Sequence, residues 1–146
     1  MSTEHTIASL GTLVRMRTSE LERLQAELAS QEALRTRYRA NLERLAELTA
    51  ASGASGALAP ALALNCGSYK QSVIALTDTH RTDLGLHEAT MARGQQALNA
   101  AWARRELLGQ VLEHQRGQAA AAADARDRKR QDELATQSWL ANRNKL

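Results

Sequence analysis

A heptad repeat fixes most of what this chain can fold into. Alternating steps of three and four from Ile7 reach Leu10, Val14, Arg17, Leu21, Leu24, Leu28, Gln31, Arg35, Tyr38, Leu42 and Leu45. Only Arg17, Gln31 and Arg35 depart from the apolar series. Apolar residues repeating every seven make a helix with one narrow seam, which must be covered by a second helix. Charged residues fill the intervening positions, among them Glu20, Arg23, Glu27, Glu32, Arg37, Glu43 and Glu47. Ser2 or Thr3 can cap the start, and neither Pro nor Gly interrupts between Thr12 and Gly53. The pattern predicts one helix over 3–50, roughly 70 Å long at ~1.5 Å per residue.

The second half repeats the theme. After Ser68, a plausible cap, a candidate seam runs Tyr69, Val73, Leu76, His80, Leu84, His87, Met91, Leu98, Trp102, Leu108 and Leu112. Steps of four followed by four in this series predict stutters. Gly85, Gly94, Gly109 and Gly117 lie inside this expected helix, each costing ~1 kcal/mol relative to Ala when exposed. Close approach of a neighbouring helix explains such glycines, and so does a helix that bends or orders on binding. Beyond Leu112 the apolar pattern thins, but Ala, Arg, Lys, Gln and Glu carry the helix on to about residue 140.

Between the halves lies "TAASGASGALAPALALNCGS", with the chain's single proline and single cysteine. Neither half can bury its seam alone, so the segment reads as a turn over 51–67 that folds a helix over 68–140 back onto the first. Pro60 suits a first helical position, so "LAPALAL" can add a helical turn at the tip. The expected fold is all-α: one domain over 1–146, a long antiparallel two-helix coiled-coil hairpin with unequal arms. A turn centred near residue 57 places Ile7 opposite Leu108, Val14 opposite Ala101 and Trp102, and Leu24 opposite Met91. It also places Leu42 opposite Val73, Leu45 opposite Tyr69, Arg35 opposite His80 and Gln31 opposite Leu84. Residues from about 113 onward then have no partner, leaving a helical overhang roughly 40 Å long at ~1.5 Å per residue. Leu134, Trp139 and Leu140 lie on it, with Trp139 a candidate anchor for a partner. An intermolecular coiled coil is the competing arrangement.

Composition narrows the function. The 146 residues include no Phe, two Trp and two Tyr, too little aromatic bulk for a layered enzyme domain. The net charge is +3 with acids and bases interspersed, which describes a solvated helical surface and not a nucleic-acid domain. One cysteine, no apolar run near ~18 residues and no basic leader before an apolar block point to a cytosolic protein without membrane insertion or a secretion signal. No phosphate loop or nucleophile elbow occurs. His80 and His87, with Asp83 between them, lack the spacing of metal ligands and read as seam or surface residues. Cys66 has no His-based dyad and reads as an idle thiol. "RDRKR" at 126–130 is the one dense basic cluster, but Asp124, Asp127, Asp132 and Glu133 dilute it and no aromatics interleave. It reads as a solvated or protein-binding face. The residues alone describe a non-enzymatic binding protein without metal or cofactor, working as a stalk, adaptor or chaperone.

The order of several short motifs resembles a known family. "YRANL" at 38–42 closes the first helix, a Gly/Ser segment with an Asn follows, and "YKQSVIAL" opens the second and leads to "THR" at 79–81. "NAAWARRELL" brings an Asn-x-x-Trp element, and "RKRQDELATQSWL" supplies the charged ending. Together these resemble the FliJ family, the stalk and export chaperone of the bacterial flagellar type III secretion apparatus, across the whole chain.

The resemblance implies an antiparallel coiled coil like the rotor stalk of rotary ATPases. It implies that the end carrying both termini enters the pore of the hexameric flagellar export ATPase and promotes its assembly and activity. It further implies contact with the cytosolic domain of the export-gate membrane protein, escort of export chaperones, and a cytoplasmic location at the base of the flagellum. The family's gate-contacting positions carry over to Glu27, Gln31, Leu34 and Tyr38 on the first helix, and to Tyr69, Val73, Leu76 and His80 on the second. Tyr38 and Tyr69 are expected to serve seam and gate together, while Val73 fits core and contact alike. The ATPase contact is expected on the terminal helices, at Leu10, Val14, Arg17, Arg126, Arg130 and Trp139. The equivalent stalk of a virulence type III secretion system and a generic coiled-coil scaffold, such as a homodimer, are the alternatives.

Overall fold

The computed structural model describes residues 2–51 and 59–144. It contains two helices, α1 (Thr3–Ala51, 49 residues) and α2 (Pro60–Arg143, 84 residues), and no strand among the described residues. They pack against each other as a helical hairpin with unequal arms. α1 starts behind Ser2, whose carbonyl accepts from the backbone N–H of His5 (3.0 Å) and Thr6 (3.2 Å). Glu4 in the first turn complements the positive end of the helix dipole.

α2 begins eight residues before the expected position at Ser68. Pro60 takes the first helical position, where a missing N–H loses nothing, and the Ala59 carbonyl accepts from Leu62 (2.9 Å) and Ala63 (3.0 Å). The Ala/Leu run that follows is a strong helix former, enough to carry the helix through Gly67. Ser68 is therefore interior, and its carbonyl accepts from Ser72 Oγ at 3.0 Å. Of the turn expected over 51–67, residues 52–58 lie outside the described residues.

The chain divides into two compact units. One comprises Met1–Glu20 and Ala101–Leu146, the other Leu21–Ala100. Neither boundary falls in the Gly/Ser segment, and each unit takes a stretch of both helices.

In the Leu21–Ala100 unit, the shielded residues of α1 are Leu21, Leu24, Leu28, Gln31, Arg35, Tyr38, Leu42, Leu45 and Thr49, the heptad series expected with one further step. Their counterparts on α2 are Val73, Thr77, His80, Leu84, His87, Met91, Gly94 and Leu98, with Asp83 and Glu88 partly shielded beside them. Leu45, Val73 and Met91 are the buried residues of this unit. In the other unit Ile7, Leu10, Val14 and Arg17 of α1 are shielded, and Ala101 and Leu112 of α2 are buried, with Arg105, Leu108, Gln115 and Ala119 shielded around them.

Along α2 the shielded positions step by four and three without a break from Val73 to Ala119, so the expected stutters are absent. Tyr69, Leu76 and Trp102 are exposed (49%, 47% and 56%), and Thr77, Ala101 and Arg105 sit in the seam where large apolar residues were expected. A seam is phased by its whole series, not by its bulkiest members. Thr77 fits because its hydroxyl donates to the Val73 carbonyl at 2.8 Å, leaving its methyl group to pack.

The register differs from the expected one in both units. In the Leu21–Ala100 unit Tyr38, not Arg35, meets His80, with ring centroids 6.1 Å apart, and it meets His87 at 5.8 Å. Gln31 pairs with His87 and not Leu84: His87 Nε2 donates to the Gln31 carbonyl at 2.7 Å. In the terminal unit Arg105 Nε donates to Thr18 Oγ1 at 3.4 Å, and Val14 shares a hollow with Gly109 and Leu112 instead of meeting Ala101 and Trp102. The cross-helix contacts are displaced from the expected register by three to twelve residues and centre on a slip of about seven, one heptad. An apolar seam is nearly blind to such a slip, because it brings a onto a and d onto d; the polar contacts distinguish the registers.

The slip leaves α2 residues 60–72 exposed apart from Cys66, which explains the exposure of Tyr69. It also delays the overhang. Every described residue beyond Ala119 is exposed, where the expected boundary was about residue 113. Continuing the heptad past Ala119 gives Ala122, Arg126, Lys129, Glu133 and Thr136, so the apolar seam itself ends there.

Candidate partner-binding flank and overhang

Flanking the seam of the Leu21–Ala100 unit are two lines of residues, at heptad positions e and g. Position e follows each d residue and g precedes each a residue. Arg39 follows Tyr38 and Glu88 follows His87, and their side chains pair at 2.9 Å. The e positions of the two helices therefore share one side, as antiparallel packing requires. Gln25, Glu32, Glu88 and Gln95 line one hollow on that side, where Arg35 also pairs with Glu32. The g positions share the opposite side, where Glu27, Thr90 and Ala97 border a second hollow.

The two sides differ in chemistry. Among the described residues the e side is charged and internally paired, with Ile74 its one large apolar residue. The g side carries Leu34 (41% exposed) and Leu48 (45%) from α1, and Tyr69 (49%) and Leu76 (47%) from α2. Asn41 and Asp83 lie among them. Of the two sides, the g side therefore carries more of the exposed apolar side chains.

This geometry sorts the eight residues carried over for the gate. Glu27, Leu34, Tyr69 and Leu76 are exposed and all occupy g. Gln31, Tyr38, Val73 and His80 occupy d, inside the seam, with Val73 6% exposed. Tyr38 is wedged between His80 and His87. The seam here is polar and imperfectly satisfied: Gln31 Oε1, Arg35 Nε and His80 Nδ1 are buried without a hydrogen-bond partner. Leu48 belongs with the exposed group but escaped the sequence reading; its place one before the a residue Thr49 is the signal that finds it.

The six residues expected at the ATPase divide similarly, within the terminal unit. Leu10 and Val14 are half-buried in the seam, and Arg17 pairs with Glu20 at 2.8 Å. Arg126, Arg130 and Trp139 stand exposed on the overhang. Trp139 is 60% exposed, with the Arg143 guanidinium 5.4 Å from its ring centroid in a cation–π contact. Arg128 Nε donates to the Asp124 carbonyl at 3.4 Å.

A family model described as "Flagellar FliJ protein" matches residues 6–144. The chain belongs to the FliJ family. The resemblance read from the order of "YRANL", "THR" and "NAAW" is thereby borne out. Neither a curated protein nor a solved structure matches the chain. FliJ proteins are non-catalytic components of flagellar type III protein export, and that general role comes with membership. Among the described residues no helix is long and apolar enough to cross a membrane.

Proposed function

We propose that this FliJ-family chain is a stalk of the flagellar export apparatus that binds two partners through two separate surfaces. The overhang beyond Ala119, with Arg126, Arg130 and Trp139, enters the pore of the hexameric export ATPase together with the half-buried Leu10, Val14 and Arg17 behind it. The g side of the Leu21–Ala100 unit, with Glu27, Leu34, Leu48, Tyr69 and Leu76, docks on the cytosolic domain of the export-gate membrane protein. Gln31, Tyr38, Val73 and His80 support that side from within the seam. Escort of export chaperones belongs to the same role, at the cytoplasmic face of the flagellar base.

The observation that carries this reading is the end of the seam. A helix whose a and d positions turn from Ala119 and Ala122 to Arg126, Lys129 and Glu133 is not built to pair through that seam. It stays single and exposed, as entry into a narrow ring demands. A generic homodimeric scaffold would continue the apolar heptad there. The family description is flagellar, which favours that apparatus over a virulence secretion system.

The test is the ATP hydrolysis rate of the same organism's flagellar export ATPase, with and without this protein, across ATPase concentrations. Stimulation greatest where the hexamer is half assembled supports a stalk that closes the ring. Unchanged rates together with absence of co-elution would remove the ATPase from the mechanism.

A further inference from the structure

The two sides of the Leu21–Ala100 unit also divide its charge. Residues three beyond or four before a g position lie beside it on the same face of the helix. On α1 these include Arg23, Arg37 and Arg44, and on α2 Leu86, 65% exposed, and Arg93. The four arginines are exposed, and none forms an ion pair among the described residues. Glu27 and Asp83 are the acids on these rows among the described residues of the unit. Arg23 has Glu27 four residues on, and Arg44 has Glu47 three on, each within reach of a helical pair. Arg37 and Arg93 have no acid three or four residues away in either direction. Arg93 donates only to Thr90 Oγ1, over a long 3.4 Å. The opposite side is reversed. There Arg39 is answered by Glu88 at 2.9 Å and Arg81 by Asp78 at 3.6 Å. Glu22 and Glu43 are left over on that side, without an ion pair among the described residues.

We infer that the g side receives an acidic amphipathic helix, its apolar stripe flanked by carboxylates. The protein that supplies this helix rests on the gate reading above; its chemistry rests on the charge of the surface. Exposed apolar residues at heptad positions on two neighbouring helices form a groove that suits a third helix. Leu34, Leu76 and Leu86 meet its apolar stripe. Arg37 stands three residues beyond Leu34, and Arg93 seven beyond Leu86, so carboxylates beside that stripe come within reach of both. A guanidinium holds a carboxylate through two parallel N–H···O bonds, and covering the pair with apolar neighbours reduces its screening by salt. A basic segment would set like charge against Arg37 and Arg93, and a neutral one would cover them without an acceptor. The opposite side of a second copy has the right charge but offers Ile74 as its one large apolar residue among the described residues, too little to cover the leucines.

The test titrates the full chain with two synthetic helical peptides that share one apolar stripe and carry either Glu or Lys on its flanks. The Glu peptide should bind about tenfold or more tightly than the Lys peptide at low salt. That preference should disappear in Arg37→Glu with Arg93→Glu, while Tm holds, since both positions are exposed and Glu suits a helix as well as Arg does. Arg39→Glu with Arg81→Glu changes the net charge equally on the opposite side and should leave the preference in place. Equal binding of the two peptides, or a preference lost equally in both double variants, overturns the inference. The second arm measures affinity for the gate's cytosolic domain in rising NaCl. Affinity that falls with salt, and falls about tenfold in Arg37→Glu with Arg93→Glu alone, supports an acidic gate segment on this side. A preference for the Glu peptide without any gate binding keeps the chemistry of the surface and overturns the gate as its source. Gate binding indifferent to salt and to both double variants keeps the gate reading and overturns the acidic helix. Sedimentation closes the remaining case: a concentration-dependent mass that Arg37→Glu with Arg93→Glu abolishes would make a second copy the occupant and overturn the inference.

Discussion

The two sides of the Leu21–Ala100 unit border the same seam and are built from the same two helices, yet they present opposite chemistries. On the e side Arg39 reaches Glu88 and Arg35 reaches Glu32, so charge is answered inside the molecule. On the g side Leu34, Leu48, Tyr69 and Leu76 are left without cover. The seam between them supplies cohesion, the e side contributes little beyond solubility and register, and the g side is the one we propose for recognition. On that reading stability and binding depend on different residues.

Perturbing the seam gives the baseline against which both sides are measured. Leu45→Ala should cost about 2–3 kcal/mol, the low end for a buried Leu in a thin two-helix core, read as a fall in denaturant midpoint. A cost below about 0.5 kcal/mol, typical of surface positions, would mean that Leu45 is not core. The triple change Leu48→Ala, Tyr69→Ala and Leu76→Ala should weaken binding of the gate's cytosolic domain by tenfold or more, about 1.4 kcal/mol. It should move the midpoint less than Leu45→Ala does. The reverse ranking would make the g side part of the core and break the contrast. Charge reversal at Arg126, Arg128, Lys129 and Arg130 should lower ATPase stimulation several-fold while helicity and Tm hold, since these residues are exposed. Unchanged stimulation would take the basic stretch out of the mechanism. The smallest effect belongs to the e side. Removing the Arg39–Glu88 pair should change stability by about 0.5 kcal/mol and leave gate affinity alone. A loss of gate affinity comparable to that of the triple change would show that both sides dock the partner.

The helices and the seam of α1 were legible in sequence because they depend on local periodicity. Every shielded a and d residue of α1 from Ile7 to Leu45 belongs to the predicted series. The seam of α2 was harder, because Tyr69, Leu76 and Trp102 are large and apolar and yet point outward, while Thr77, Ala101 and Arg105 point inward. A reading that follows bulk drifts out of phase at each of these places. The register was not legible at all. An apolar repeat of seven matches itself after every slip of seven, and the polar contacts that decide the matter, His87 on the Gln31 carbonyl and Tyr38 between two histidines, involve residues that look like blemishes in the pattern.

The end of the apolar heptad at Ala119 also sets rules for how such a chain can change length over evolution. Within the paired part, an insertion of one heptad in α1 must be matched by one in α2, or a turn must absorb the difference. Each matched pair adds about 10 Å at 1.5 Å per residue, so the paired length grows in whole heptads. Past Ala119 no partner imposes a count, and single residues can be gained or lost freely. The length of single helix can drift by small increments, while the paired length can change only in whole heptads.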